Sequence, residues 1–115
     1  MNFPKTTQEL FEVAKSNGLY LKLVSQLQKD FLLANIDLDI EDNISPNELK
    51  VSLHETIYQL IQTNFSDYLN LLYIIDVSEH QIKQLDGSDT LQLSGQVTFL
   101  VLLREWKKVW YKNYY

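Results

Sequence analysis

The chain has 115 residues and a mass of 13.5 kDa, the size of one domain. It is 45% hydrophobic and 22% charged, so disorder is excluded as a default, and three glycines with two prolines are too few for the turns of a sandwich or barrel. No cysteine occurs, which excludes disulfides, thiolate zinc sites and cysteine nucleophiles, and the net charge is -5.

From the N-terminus, MNFPKTTQEL lacks the apolar core of a signal peptide, so a cytoplasmic protein is expected. Thr6 or Thr7 can cap a first helix carrying Leu10, Phe11 and Ala14 on one face, with Asn17-Gly18 as its stop. Tyr20, Leu23, Val24, Leu27 and Phe31 follow a 3.6-residue period and predict a second helix to about Ala34. Between Lys29 and Lys50 stand Asp30, Asp37, Asp39, Glu41, Asp42 and Glu48, with no base among them.

Ser45-Pro46-Asn47-Glu48 combines an N-cap serine, a proline at the first helical position and a glutamate that reaches back, so a third helix starts there. A new start at Ser66 leads into YLNLLYIIDV, which is apolar nearly all round and predicts a central buried helix. Ser78 and Gln81 form a capping box for a short helix to Leu85, and Asp89 with Gln92 opens the last helix. Its apolar run from Val97 to Leu103, counting Thr98, is seven residues; a membrane span needs about 20. Further on, Phe99, Leu102, Leu103, Trp106, Val109 and Trp110 fall on one side. Arg104, Lys107, Lys108, Tyr111, Lys112 and Tyr115 fall on the other. Burial of both tryptophans and exposure of the four cations are therefore expected. These elements predict an all-α fold: a single domain over 1–115, built as a compact bundle of about five to six helices.

LNLLYIIDVSE at 70–80 and FLVLLREWKKVWY at 99–111 together resemble an uncharacterised family of short bacterial all-helical proteins. The resemblance implies a helical fold and carries no function.

Motifs for chemistry are scarce. His54 and His80 are preceded at three residues by Val51 and Val77, so the Glu-x-x-His pattern of di-iron bundles is missing, as is His-x-x-x-His spacing for zinc. Leu93-Ser94-Gly95 lacks the first glycine of a nucleophile elbow, and three isolated glycines build no phosphate loop. A protein that is not an enzyme and needs no cofactor is expected. The acidic stretch can be aligned with a degenerate EF-hand, with Asp37, Asp39, Glu41 and Glu48 as candidate calcium ligands. Asp42 stands where the loop needs glycine, and Glu48 serves equally as a helix cap.

Charge is divided along the chain. Residues 104–115 carry +3 and residues 1–103 carry -8. The acids Asp37, Asp39, Glu41 and Asp42 could meet the basic face at Arg104, Lys107, Lys108 and Lys112, within one molecule or across a homodimer. The leading expectation is thus a protein–protein interaction module, acting as adaptor, regulator or oligomer subunit. The alternative is nucleic-acid binding through the basic and aromatic C-terminal helix, with Tyr111 and Tyr115 available for stacking.

Overall fold

Caps written in the sequence decide where the helices begin. The computed structural model describes residues 2–114, and among them it has six helices and no strand. They are α1 (Thr7–Ser16), α2 (Tyr20–Leu33), α3 (Pro46–Thr63), α4 (Phe65–Ile75), α5 (Glu79–Lys83) and α6 (Thr90–Tyr114). Thr6 Oγ1 accepts the Glu9 N–H at 3.1 Å, and Ser78 Oγ accepts the Gln81 N–H at 3.4 Å. Ser45 Oγ accepts from the Glu48 N–H at 3.3 Å and donates to Glu48 Oε1 at 2.9 Å. Asp89 Oδ1 accepts from Leu91 and Gln92 N–H groups at the head of α6. α4 starts one residue earlier than expected, because Asn64, not Ser66, accepts the Asp67 N–H. α2 begins with no side-chain cap; Gly18, at φ 68, makes the left-handed turn into it.

The long helix α6 is the spine. At 25 residues it should be about 37 Å long, and the molecule's longest dimension is 36 Å. It packs against α1, α2, α3 and α4. Leu10, Ala14, Leu23, Leu27, Phe31, Leu49, Leu53, Ile57, Leu71, Ile75, Val101, Leu102 and Trp106 are fully buried around it. Each large apolar side chain there contributes on the order of 1.5–3 kcal/mol.

Two expectations are corrected by this arrangement. α4 is not the central helix: Tyr68, Leu71, Leu72 and Ile75 are buried, but Leu69 is 51% exposed and Tyr73 82% exposed. Its apolar residues outnumber the positions the bundle can cover, because α6 already fills the centre. Among the cations, Lys108 is not on a solvated face. Its side chain is only 17% exposed, and Arg104 and Lys107 are half-buried. Trp106 is fully buried as expected while Trp110 is half-buried, and the Trp106 indole Nε1 has no acceptor.

The segment between α2 and α3 is an extended strap. Ile36 and Leu38 are buried and Ile40 is half-buried, while Asp37 and Asp39 point outward. That period of two is written in the sequence as Ile-Asp-Leu-Asp-Ile. The strap is anchored by Gln28 Nε2, which donates to Ile40 O at 3.2 Å, and by Tyr20 Oη, which donates to Ile44 O. Burial, with Glu48 nearby, pushes the Tyr20 hydroxyl up to about 12, so it remains a donor throughout the neutral range.

Candidate interaction surfaces

The residues singled out in the sequence do not converge on one place. On α6, the Arg104 guanidinium donates from Nε to Asp76 O and from Nη2 to Asp76 Oδ2, both at 3.1 Å. Asp76 is the left-handed C-cap of α4 at φ 70, so this contact ties α4 to the spine. Lys107 Nζ lies 5.0 Å from the centre of the Phe3 ring, and Phe3 also packs on Tyr111. Lys112 donates to Gln26 Oε1 at 2.8 Å. Tyr111 is 47% exposed, and Tyr115 lies outside the described residues. The expected basic face is thus broken into separate contacts.

The acidic strap does not meet it. Among the described residues, no ion pair links Asp37, Asp39, Glu41 or Asp42 to any cation. Asp37 Oδ1 accepts the Asp39 N–H at 3.0 Å, and Asp42 Oδ1 accepts from Gln28 Nε2 at 3.1 Å. The pairing of strap and basic helix within one molecule is therefore not formed. Nor do Asp37, Asp39, Glu41 and Glu48 gather as a calcium ligand set. Glu48 is turned to Ser45, and no group of three metal-ligating side chains occurs among the described residues.

His54 meets Ser94, which the sequence offered no way to pair. His54 Nε2 lies 2.7 Å from Ser94 Oγ and 3.3 Å from Leu91 O. Ser94 Oγ donates its own hydrogen to Leu91 O at 2.7 Å. Ser94 is fully buried, so the contact is closed within the molecule. The pair stitches α3 to α6.

A buried ionic cluster lies between α2 and α6. Glu105 is fully buried and Asp30 is 4% exposed. Lys108 Nζ donates to Asp30 Oδ2 at 2.8 Å and lies 3.1 Å from Glu105 Oε1, while Gln26 Nε2 also donates to Asp30 Oδ2 at 3.1 Å. Neither Glu105 oxygen accepts a hydrogen bond. Burial, followed by the nearby Asp30 carboxyl, pushes the Glu105 carboxyl up to about 9 against the pull of Lys108. Burial also raises Asp30, but its neighbours Glu105, Lys108 and Gln26 and the Lys108 charge outweigh it and hold Asp30 below the usual range. Glu105 is thus driven toward its neutral form beside an Asp30 that is held ionised. The sequence hid this group by placing Glu105 among cations on a helix that reads as solvated.

The outer surface of α4 and α5 carries an extended apolar feature. Phe65, Leu69 and Tyr73, spaced four apart, are 54%, 51% and 82% exposed. The row runs into a groove of about 620 Å³ floored by Leu72, Val77 and Ile82 and edged by Asp76, Glu79 and Lys83. Among the described residues, no helix is long and apolar enough to cross a membrane. No protein-family model matches the chain, and no curated protein or solved structure does.

Proposed function

We propose that this small helical protein works by protein–protein contact without catalysis, and that the α4–α5 surface joins two copies of the chain. The observation that carries the reading is the exposed row Phe65, Leu69 and Tyr73 leading into an apolar groove. Exposed apolar patches of this kind mark contact sites. Charge favours a second copy as the occupant. Asp76 is neutralised by Arg104, and the remaining edge charges, Glu79 and Lys83, are opposite in sign and one helical turn apart. In a two-fold pairing, residue i meets j and j meets i, so each Glu79 can face the partner's Lys83. The surface is charge-balanced on a chain of net -5, so joining two copies there adds no repulsion at the contact itself.

Sedimentation equilibrium over a range of concentrations tests this reading. A dimer is expected for the native chain, and a folded monomer for Leu69→Glu, whose side chain is exposed. A native chain that stays monomeric at high concentration would overturn the proposal, as would a Leu69→Glu chain that dimerises as the native one does.

A further inference from the structure

We infer that the groove between α2 and α6 binds a single phosphate group, as free phosphate or as the end of a small phosphomonoester. The groove, of about 260 Å³, is lined by Lys22, Ser25, Gln26 and Lys29 of α2 and by Val109, Lys112 and Asn113 of α6. No carboxylate lines it, and no ion pair reaches its three ammonium groups among the described residues. Lys22 Nζ donates to Asn113 Oδ1 at 2.6 Å and Lys112 Nζ to Gln26 Oε1 at 2.8 Å. Neutral amide oxygens thus position two of the cations without cancelling their charge.

The floor of the groove is built, not incidental. Gln26 is 8% exposed and anchored below to Asp30, whose charge is already answered by Lys108. The three lysines above remain uncompensated on an acidic protein. Lys112 in the last turn of α6 is favoured by the helix dipole, but that cause does not extend to α2. Lys22 lies in the first turn of α2, at the positive end, and no acid occupies that turn. An oxyanion in the groove can accept from these lysines, with the Ser25 hydroxyl as a further donor. A single phosphate suits the site better than a polyanion. The groove is small, Arg104 and Lys108 are engaged elsewhere, and the acidic strap offers no continuing track.

The test is titration with inorganic phosphate and with phenyl phosphate at constant ionic strength, set by chloride. Binding is followed by calorimetry and by amide shifts in the native chain. Saturable shifts at Ser25, Gln26, Lys29 and Asn113 are expected. Lys29→Gln with Lys112→Gln should weaken binding about tenfold or more, with an unchanged helical spectrum. Equal preference for inorganic phosphate and phenyl phosphate supports the group itself as the ligand; preference for the ester supports a phosphomonoester. Shifts no different from those in chloride alone would overturn the inference, as would unchanged affinity in the double variant. An oligothymidylate that binds through these lysines when neither phosphate does would overturn it in favour of nucleic acid.

Discussion

Glu105 of α6 and Asp30 of α2 share one ammonium in the interior: Lys108 Nζ lies 3.1 Å from Glu105 Oε1 and 2.8 Å from Asp30 Oδ2. The consequence is a stability that depends on pH in a fixed direction. Glu105 moves from near 4.5 to about 9 on folding, so between those values the folded chain holds a proton that the unfolded chain has lost. Stability falls as pH rises through that window. Asp30, lowered on folding, acts oppositely: its contribution is present above its ordinary value near 3.8 and is lost as pH falls through its folded value. Glu105→Gln keeps the size of the side chain and removes the titration. Urea unfolding at pH 5 to 9 should give a falling midpoint for the native chain and a markedly flatter one for Glu105→Gln.

Removing the cation from this cluster lowers stability outright. Lys108→Ala leaves Asp30 buried without its ammonium, a loss of about 3–5 kcal/mol. Arg104→Ala breaks a pair whose aspartate side chain is 78% exposed and should cost no more than about 1 kcal/mol. Chemical unfolding of the two variants side by side checks the contrast; equal costs would mean that Lys108 is not held by the interior.

The cap of α3 gives a smaller, local effect. Ser45→Ala removes the acceptor for the Glu48 N–H and the donor to its carboxylate. A loss of about 1 kcal/mol is expected in the unfolding free energy. An unchanged midpoint would place the helix start elsewhere.

The starts of α1, α3, α5 and α6 were legible in the sequence because each rests on residues within one turn, Thr6, Ser45, Ser78 and Asp89, whereas Ser66 was misread for the Asn64 cap of α4. The all-helical class was legible for the same reason. What periodicity could not supply was which of several apolar helices takes the centre. YLNLLYIIDV reads as buried on all sides, yet α6 occupies that position and leaves Leu69 and Tyr73 outside. Nor could it reveal that Asp30 and Lys108, 78 residues apart, meet in the interior. The acids of the strap were legible in the sequence, but their alternation with Ile36, Leu38 and Ile40 was not used. Reading the strap as a calcium loop passed over the apolar residues between the acids.

The two leucines of α4 separate the buried side from the exposed one. Leu72 is 7% exposed and packs into the core, so Leu72→Ala should cost roughly 2–5 kcal/mol. Leu69→Ala, on the open side, should change the monomer's stability by less than about 0.5 kcal/mol. Thermal unfolding at low protein concentration compares them. Similar losses in both would mean that the α4–α5 surface is covered within the molecule.

The most direct measurement of the proposed pairing is a charge exchange across the two-fold axis. Glu79→Lys alone sets lysines at 79 and 83 against each other in both halves of the dimer, and Lys83→Glu alone does the same with glutamates. Mixed, the two variants recover opposite charges at both contacts. Native mass spectrometry of the mixture, with one variant isotopically labelled, should find each variant mainly monomeric alone and the heterodimer dominant on mixing. If the mixture gave no more heterodimer than chance pairing of the separate variants, or if both variants dimerised as the native chain does, the α4–α5 surface would not be where two copies meet.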